Sequence, residues 1–436
     1  MDVKITKPIQ GGTIRAIPSK SAAHRLLICA AFADGETFIT CPQSCEDIEA
    51  TIRCLQVLGV KIDHKNDGLL ITPIDHSKIN KEKEYVLDCG ESGATFRFIL
   101  PICGALGLNV SIVMGGRLPE RPLSSLYDEM TSHGCKLSEQ GVSPLKCEGQ
   151  LTNGTYTLPG NITSQFISGL LFALPLLSGD SVINVTGILE SRPYVDMTLD
   201  TLRLFGITIK EEGQSFHITG GQTIRSLKNV QAEGDWSNAA FWLCAGAMGK
   251  STDSKTVAGN KVATTCTGLD LNSRQGDKAI LEILFRFGAN VVCEKDAVTV
   301  SPNELRGIDI DAGDIPDLVP VLAAVAATAN GKTVIRNAAR LRMKESDRLQ
   351  TVAATLSAFG ADISETEDGL VIIGKKTLKG AQTQSYGDHR IAMTAAVLST
   401  VCDGTVTIKD AQAVKKSYPS FFEDFCNILK GECYNI

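Results

Sequence analysis

The chain repeats one pattern of apolar and polar positions six times. In each copy an apolar run of helical length leads into a short turn with glycine, and a segment with β-branched residues follows, as in RLLICAAFADGETFI and LVPVLAAVAATANGKTVI. The turn glycines lie about 70 to 82 residues apart, at Gly35, Gly107, Gly179, Gly249, Gly331 and Gly404. The pattern predicts a helix followed by a strand in every copy.

A second pattern runs in step with the first one. Here a helical segment ends in a glycine and a strand follows, as in LQVLGVKI and LRLFGITI. These glycines are Gly59, Gly134, Gly206, Gly288 and Gly360. Glycine at this place suits the left-handed backbone conformation that ends many helices. Two markers with a common period predict six similar α/β units.

The length of the chain determines how these units are grouped. The chain has 436 residues, which is too many for one ordinary hydrophobic core. A unit of about 72 residues is small enough to pack three to a domain. We therefore expect two similar α/β domains of three units each, with the boundary near residues 225–235.

Small or polar residues mark the start of all six apolar helices. Aligned by repeat, the position before each helix holds Ser21, Gly93, Gln165, Ser237, Asp317 and His389. Helix N-termini carry unpaired N–H groups and a partial positive charge, so equivalent starts that face one cleft attract anions. Basic residues near these starts or between units strengthen this prediction; they are Lys20, Arg25, Arg97, Arg121, Lys344, Arg348, Arg390 and Lys416.

Two of these stretches have a simpler interpretation when each is taken alone. In PSKSAAHR, Ser21 could be an ordinary helix N-cap, with Lys20 and Arg25 in solvent. In RMKESDRL, Lys344, Glu345 and Arg348 could form a solvated helix face. The recurrence of the pattern favours a site for an anionic small molecule instead.

Composition and charge exclude several classes of protein. A hydrophobic fraction of 43% and a charged fraction of 21% are typical of a folded globular protein, and the net charge of −6 argues against a general nucleic-acid binder. The N-terminus lacks the apolar region of a secretory signal, and no apolar stretch could span a bilayer. The fourteen cysteines are scattered singly, so we expect no metal site, no disulfide framework and a cytoplasmic location.

Motifs over residues 16–421 resemble a known family. In chain order they are PSKSAAHR, GESGATFR, RPLSSL, GNITSQF, ESRPY, IPD, MKESDR, GDHR and KKSYP. Together they resemble the 5-enolpyruvylshikimate-3-phosphate (EPSP) synthase family of enolpyruvyl transferases. The resemblance implies an inside-out α/β barrel fold, with two domains of three βαβαββ units each and the active site in the cleft between them. It also implies that residues 1–15 join 231–436 in the second domain, while 16–230 form the first.

The resemblance further implies a reaction. The enolpyruvyl group of phosphoenolpyruvate moves to the 5-hydroxyl of shikimate 3-phosphate and phosphate is released, a step of the shikimate pathway to aromatic amino acids. Addition and elimination through a tetrahedral intermediate call for a base, an acid and several cations, and the family uses no metal or organic cofactor. The expected partners are these two small molecules, with no nucleic acid and no membrane, and a monomer is the expected state.

The site residues carry over from the family's motifs position by position. Asp317 is implied as the base for the 5-hydroxyl, and either Glu345 or Lys20 as the acid at the methylene carbon. The residues implied to bind shikimate 3-phosphate are Lys20, Ser21, Arg25, Thr163, Ser164, Gln165, Ser191, Tyr194, Asp317, Arg340 and Lys344. Those implied to bind phosphoenolpyruvate are Lys20, Gly93, Arg121, Gln165, Arg348, Arg390 and Lys416. For His389, a structural role and a catalytic role both stay open.

Three positions depart from common members of the family. Glu91 stands where an amide is frequent, Thr163 replaces a frequent serine, and Arg340 stands where some members have an asparagine that contacts the substrate phosphate. Glyphosate inhibits many members by competing with phosphoenolpyruvate. Gly93 predicts that this chain is sensitive, because a methyl group there would crowd the inhibitor.

Three other functions fit part of the pattern. The enolpyruvyl transferase that acts on UDP-N-acetylglucosamine is expected to have a lysine–asparagine pair where this chain has Lys20 and Ser21, and a loop cysteine where it has Arg117. A non-catalytic binding protein would be expected to have lost Asp317, Glu345 or Lys20. An RNA 3′-phosphate cyclase is disfavoured by the acidity of the chain and by the KESDR motif.

Overall fold

The chain folds into two compact units. The computed structural model describes residues 1–6, 11–249, 263–428 and 433–435. The first unit is Pro18–Ala232, and the second unit is Met1–Ile17 together with Glu233–Ile436. Each unit encloses its own cluster of buried apolar side chains.

The described residues form twelve α-helices. In chain order they are α1 (Lys20–Ala31), α2 (Glu46–Val57), α3 (Gly93–Leu106), α4 (Ser124–Ser132), α5 (Ser164–Ala173), α6 (Arg192–Leu204), α7 (Trp236–Met248), α8 (Ile280–Phe287), α9 (Val319–Ala326), α10 (Arg348–Ala358), α11 (His389–Leu398) and α12 (Phe421–Ile428).

The same residues form twenty-six short strands. Those of residues 1–232 are β1 (Val3–Ile5), β2 (Thr13–Arg15), β3 (Thr37–Thr40), β4 (Lys61–Lys65), β5 (Gly68–Thr72), β6 (Glu84–Asp88), β7 (Asn109–Val113), β8 (Cys135–Leu137), β9 (Leu145–Gly149), β10 (Thr155–Pro159), β11 (Ser181–Thr186), β12 (Ile209–Glu212), β13 (Ser215–Ile218) and β14 (Asn229–Gln231). The later ones are β15 (Thr264–Thr267), β16 (Asn290–Cys293), β17 (Ala297–Ser301), β18 (Asp309–Asp311), β19 (Lys332–Arg336), β20 (Asp362–Glu365), β21 (Leu370–Ile373), β22 (Leu378–Lys379), β23 (Gln382–Gln384), β24 (Cys402–Asp403), β25 (Val406–Lys409) and β26 (Cys433–Asn435).

Each unit contains three four-stranded sheets. In the first unit their strand orders are β14-β3-β5-β4, β6-β7-β9-β8 and β10-β11-β13-β12, and in the second unit β16-β17-β15-β2, β18-β19-β21-β20 and β23-β25-β1-β26. In the sheet that begins with β6, β6 and β7 run parallel, and β9 is antiparallel to both β7 and β8. The six α/β units predicted from the repeats, and the βαβαββ make-up that the family resemblance implies for them, are therefore confirmed.

The chain termini and the unit boundary complete three of these sheets. β14 at the end of the first unit pairs in parallel with β3, and β2 near the N-terminus pairs in parallel with β15 of the second unit. β1 pairs with β25 and β26 in the last sheet of the second unit. The N-terminal strands β1 and β2 thus belong to sheets of the second unit.

The glycines of the second sequence pattern have the predicted conformation. Gly59, Gly134, Gly206, Gly288 and Gly360 have φ angles of 106°, 98°, 84°, 106° and 79°. A side chain is strained in this region of backbone space, which is why glycine recurs where a helix must end and a strand must begin.

One helix in each repeat is buried on nearly all sides. These helices are α1, α3 and α5 in the first unit and α7, α9 and α11 in the second. Beyond their first turns their sequences are mostly apolar, which is typical of a helix inside a core. The outer helix α2 instead has a buried face and an acidic first turn, Glu46, Asp47 and Glu49.

In five of the six helices the aligned residue lies one or two positions after the N-cap rather than at it. Ser21 is not the N-cap of α1: Ser19 is, and its hydroxyl accepts from the N–H of Ala22 at 3.3 Å. Likewise α3, α5, α7 and α11 are capped by Ser92, Thr163, Asp235 and Asp388. Asp317 lies in a 3₁₀ turn, Pro316–Leu318, just before α9. A cap must reach the N–H two or three residues ahead, and only these earlier side chains do so.

Candidate active site

The start of α1 positions the first two predicted site residues. Lys20 and Ser21 are in its first turn, after the Ser19 cap. The Lys20 ammonium lies 2.7 Å from a carboxylate oxygen of Asp47, which is in the first turn of α2. Lys20 is therefore already paired with a carboxylate, and an anionic substrate would have to share it or replace that carboxylate.

Arg25 is buried between α1 and α6. Its guanidinium donates to the Thr198 hydroxyl at 2.9 Å and to the carbonyl oxygens of Ser21 and Tyr194 at 2.7 and 2.8 Å. It also lies over the ring of Phe98, 5.3 Å from the ring centre. Burial lowers the pKa of Arg25 to about 10. The structure thus brings Ser21, Arg25 and Tyr194 together around a charge held by neutral groups.

The start of α3 is closely surrounded by cations. A Cβ atom at Gly93 would lie 2.9 Å from Nη1 of Arg97 and 3.0 Å from Nη1 of Arg121. Arg97 also donates to the side-chain oxygen of Gln165 at 2.8 Å. The structure therefore places Gly93, Arg121 and Gln165 in one group, and it adds Arg97. Only a residue without a side chain leaves these two guanidinium groups where they are.

The remaining first-unit residues lie at the starts of two more helices. Thr163 caps α5, and its hydroxyl accepts from the N–H of Gln165 at 3.3 Å. Ser164 begins that helix and is buried. Ser191 precedes α6 with a φ of 55°, a left-handed conformation that is uncommon for serine. Such strained backbone is frequent at functional sites.

Asp317 is the centre of the second unit's charged group. One of its carboxylate oxygens lies 2.8 Å from Arg348 and 3.8 Å from Lys344, and the other lies 3.0 Å from Arg390. Burial alone would raise the pKa of Asp317, but Arg390, Lys344 and Arg348 together hold it well below its ordinary value. The carboxyl group is therefore ionised at neutral pH.

Arg348 connects three carboxylates and is 1% exposed. Besides Asp317 it contacts Glu345 at 2.7 Å and Asp388 at 2.7 Å. Burial would lower the pKa of Arg348, and the charges of Asp388, Glu345 and Asp317 raise it above its ordinary value. The interpretation of RMKESDRL as a solvated helix face is therefore wrong. α10 begins only at Arg348, and that residue points into the unit.

Three other predicted or open residues lie near this group. Arg340 donates to the carbonyl oxygen of Gly313, on the loop before Asp317, at 2.6 Å. Lys416 donates to the carbonyl oxygen of Gly387 at 2.7 Å, just before α11. His389 is buried, and its Nδ1 lies 3.8 Å from Asp388.

Several partners of these residues were not predicted. Arg97 is one of the basic residues near the helix starts, and the family's motifs imply no role for it. Asp47 gave no signal beyond an acidic helix start, and Thr198 gave none. Asp388 could have been found as the residue before α11 in GDHR, since Asp is a preferred N-cap. Asp388 also accepts a hydrogen bond from Arg348, which lies 40 residues earlier in the chain. No local sequence pattern predicts this contact.

The described residues contain no group of three or more histidine, cysteine or acidic side chains that could hold a metal ion. Within those same ranges, none of the helices has the length and apolar character needed to cross a membrane.

Comparisons with known proteins cover nearly the whole chain. The sequence model of EPSP synthase (3-phosphoshikimate 1-carboxyvinyltransferase) matches residues 3–425. The 3-phosphoshikimate 1-carboxyvinyltransferase of Clostridium kluyveri is 43% identical over 97% of this chain and 95% of its own length. That of Clostridium perfringens (strain ATCC 13124) is also 43% identical, over 99% of both chains.

Solved structures agree with these relatives. An EPSP synthase structure from Acinetobacter baumannii superimposes with a TM-score of 0.82 at 26% identity and covers 100% of both chains. The enolpyruvyl transferase NikO from Streptomyces tendae superimposes with a TM-score of 0.76 at 18% identity, over 99% of this chain and 98% of its own, and shares the fold. The family and the transferase activity expected from the sequence motifs are confirmed: this chain belongs to the EPSP synthase (3-phosphoshikimate 1-carboxyvinyltransferase) family.

Proposed function

We propose that this protein transfers the enolpyruvyl group of phosphoenolpyruvate to the 5-hydroxyl of shikimate 3-phosphate. The observation that supports this assignment best is Asp317, a carboxylate in contact with Arg348, Arg390 and Lys344 and one ion pair away from Glu345. Such a group contains a base, a second carboxyl and the cations that two anionic substrates need.

The first unit contributes most of the shikimate 3-phosphate contacts, and Asp317, Arg340 and Lys344 of the second unit contribute the others. Arg25 is buried and held only by neutral oxygens, so a phosphate dianion would relieve a charge that the protein leaves uncompensated. Ser21 shares the first turn of the same helix, where N–H groups and the helix dipole also favour an anion. Thr163, Ser164, Gln165, Ser191 and Tyr194 then surround the sugar-like ring from the starts of α5 and α6.

Phosphoenolpyruvate binds to a different set of cations. Arg121 lies beside Gly93 in the first unit, and Arg348, Arg390 and Lys416 lie near the starts of α10 and α11 in the second. Arg348 and Arg390 already contact Asp317. Binding of this anion would therefore draw positive charge away from that carboxylate.

This redistribution gives Asp317 its role as a base. With three cations around it, the pKa of Asp317 is far too low for it to take a proton from an alcohol. When the substrate anions engage Arg348, Arg390 and Lys344, the pKa of Asp317 rises toward the value of a buried carboxyl. Asp317 then accepts the 5-hydroxyl proton only when the substrates are bound.

The chemical steps balance without a further reactant. As the 5-oxygen bonds to C2 of phosphoenolpyruvate, its proton goes to Asp317, and a proton from an acid bonds to the methylene carbon. In the elimination, the conjugate base of that acid takes a proton back from the same carbon, the double bond forms again and the bond from C2 to the phosphate oxygen breaks. Asp317 then gives its proton to the leaving phosphate, so both groups return to their starting states. Glu345 and Lys20 are both candidates for the acid, since each lies next to a proposed substrate contact and forms an ion pair, Glu345 with Arg348 and Lys20 with Asp47.

We also propose that the protein acts as a cytoplasmic monomer. In the described residues the cysteines are free thiols and nearly all are buried, which suits a reducing compartment. Arg340, whose guanidinium contacts the loop before Asp317, would take the place of the asparagine found in some members of the family.

Phosphate release from phosphoenolpyruvate tests the assignment. Purified protein is assayed with shikimate 3-phosphate or with UDP-N-acetylglucosamine as the acceptor, and we expect release with the shikimate ester only. Asp317→Asn should lower kcat by about 100-fold or more, since general-base catalysis contributes on that order. Asp362→Asn, an exposed aspartate on β20, is the matched control. Release with the nucleotide sugar alone, or full activity of Asp317→Asn, would contradict the proposal.

A further inference from the structure

Asp277 is a buried carboxyl group that the proposed reaction does not use. It lies in a 3₁₀ turn, Gly276–Ala279, that leads into α8, and it is 0% exposed. The side chain of Gln275 fixes this turn against the start of α7: its oxygen accepts from the N–H of Trp236 at 3.0 Å, and its nitrogen donates to the carbonyl oxygen of Gly234 at 2.8 Å. The position of Asp277 is therefore built into the unit.

The carboxyl group of Asp277 has few hydrogen bonds for a buried charge. Oδ2 is hydrogen-bonded to the hydroxyl of Ser237, and Oδ1 has no hydrogen-bond partner among the described residues. Buried carboxylates normally accept several hydrogen bonds, because an unpaired buried charge is costly. One hydrogen bond suits the neutral acid better than the anion. Ser237 is also one of the six aligned helix starts, and no substrate contact is assigned to it.

The charges that act on Asp277 belong to three other elements. They are Asp317 in the 3₁₀ turn before α9, Arg390 in α11, and Asp235 at the start of α7. The charged side chains of α8, Glu282 and Arg286, are exposed. On its own turn, Lys278 donates instead to the carbonyl oxygen of Leu271 at 2.9 Å. Asp277 and Asp317 thus both interact electrostatically with Arg390, and Asp317 also contacts Arg348 and Lys344.

These surroundings place the titration of Asp277 near neutral pH. Burial and the negative charge of Asp317 raise the pKa of Asp277 to about 7, against the opposing effects of Arg390 and the Ser237 hydroxyl. At neutral pH the group therefore changes between a neutral acid and a second anion beside Asp317.

We propose that Asp277 is a positioning residue for Arg390. As a neutral acid, Asp277 does not compete for the Arg390 guanidinium, which can then bind Asp317 and phosphoenolpyruvate. Once ionised, Asp277 competes with both of them for Arg390. This inference rests on the proposed role of Arg390 in phosphoenolpyruvate binding. The two ionisation states of Asp277 then bind the substrate with different affinity. By reciprocity, bound phosphoenolpyruvate favours the neutral acid.

The size of the effect follows from this linkage. If the substrate anion shifts the pKa of Asp277 by one unit, the affinity for phosphoenolpyruvate differs on the order of tenfold between the two states of Asp277. The KM for phosphoenolpyruvate should therefore rise by that factor as pH passes from about 6 to about 8. The change should lie in KM much more than in kcat.

The kinetic test uses three variants over the pH range from about 5.5 to 8.5. Asp277→Asn imitates the neutral acid, so we expect the rise in KM near pH 7 to be absent. Ser237→Ala removes the hydroxyl that lowers the pKa of Asp277, so the rise should move to higher pH. Glu282→Gln changes an exposed carboxylate on the neighbouring helix and should keep the wild-type profile. The same profile in Asp277→Asn and the wild type would overturn the proposal.

A second measurement needs no substrate. Because the pKa of Asp277 is higher in the folded chain than in the unfolded one, ionisation costs stability as pH rises from about 4 to about 7. The melting temperature of Asp277→Asn relative to the wild type should rise over this range and then level off. A constant difference would overturn the proposal, even if the enzyme is active. If the wild type released no phosphate at any pH, the proposed function would fail, and with it the role of Asp277 toward this substrate.

Discussion

Arg25 in the first unit and Arg348 in the second are both buried arginines, but they are stabilised in opposite ways. Arg25 is held by a hydroxyl and two backbone carbonyls, and its pKa is lowered. Arg348 contacts three carboxylates, and its pKa is raised. The protein thus leaves one positive charge uncompensated and fully neutralises the other.

This difference indicates a division of labour between the two groups. A substrate phosphate binds most favourably to an uncompensated guanidinium, because no carboxylate of the protein has to be displaced from it. A neutralised guanidinium gains less on binding, but each anion that engages it changes the charge felt by Asp317. We therefore expect the first unit to contribute mainly binding energy and the second unit mainly the control of proton transfer.

The largest expected effect is on stability, in Arg348→Met. Removing this guanidinium leaves Asp388, which is 0% exposed, as an uncompensated buried charge. Breaking a buried pair in this way costs about 3–5 kcal/mol of unfolding free energy, measurable by urea denaturation at pH 7. Arg342→Met is the control, since Arg342 pairs with Asp347 and Glu365 nearer the surface, where about 0–1 kcal/mol is expected. Equal losses in both variants would remove the contrast on which the comparison depends.

Arg25→Met should affect substrate binding more than stability. It loses hydrogen bonds to neutral groups but also removes a buried charge, so we expect the unfolding free energy to change by no more than about 1–2 kcal/mol. Its KM for shikimate 3-phosphate should rise about 10- to 100-fold, because hydrogen bonds to charged groups contribute about 1.5–3 kcal/mol. Steady-state kinetics and urea denaturation of the same preparation decide this. A stability loss as large as that of Arg348→Met would mean that Arg25 is structural.

The sequence predicts the frame of both groups but not the contrast between them. The repeat period located the six helix starts, and the five left-handed glycines have the conformation expected of them. The helix starts and the glycine conformations can both be predicted locally. The alternation of apolar and polar residues marks a helix within a few turns, and the glycine that ends a helix is recognised from its immediate neighbours. The roles of Asp317, Glu345 and Lys20 came from motif resemblance.

Each of the two arginines has a partner that is far away along the chain. Thr198 is 173 residues from Arg25, and Asp388 is 40 residues from Arg348. No periodic pattern specifies which polar side chain meets a buried cation, because that choice depends on how helices from different repeats pack. For the same reason the sequence did not distinguish a neutral environment for Arg25 from an acidic one for Arg348.

Gly93→Ala is expected to have a smaller effect, and on substrate binding rather than on stability. The new methyl would lie within 3.0 Å of guanidinium atoms of Arg97 and Arg121, and both side chains can shift. We expect the KM for phosphoenolpyruvate to rise about tenfold, or about 1.4 kcal/mol, and glyphosate inhibition to weaken.

Gly115→Ala provides the matched control for this variant, since its methyl would meet its nearest atoms only at 3.5 and 3.6 Å. An unchanged inhibition constant for glyphosate in Gly93→Ala would show that the position of the Arg121 guanidinium does not require a glycine at position 93. The crowding argument would then be wrong.

The smallest expected effect is a change of stability with pH in Asp317→Asn. The cations around Asp317 lower its pKa in the folded chain, so its ionised form stabilises the fold above its unfolded pKa of about 4, and this stabilisation is lost as pH falls below that value. The melting temperature of the wild type relative to Asp317→Asn should therefore decrease from pH 5 to pH 3, about the range over which an aspartate with an ordinary pKa gains its proton. Arg25 is held by neutral groups, so no carboxylate partner of Arg25 gains a proton in this range. The melting temperature of Arg25→Met relative to the wild type should therefore stay constant from about pH 5 to about pH 3. If the melting-temperature differences of Asp317→Asn and Arg25→Met changed in parallel with pH, acid would act on the whole fold rather than on the carboxylates around Arg348. The contrast between the two arginines would then not explain the pH dependence.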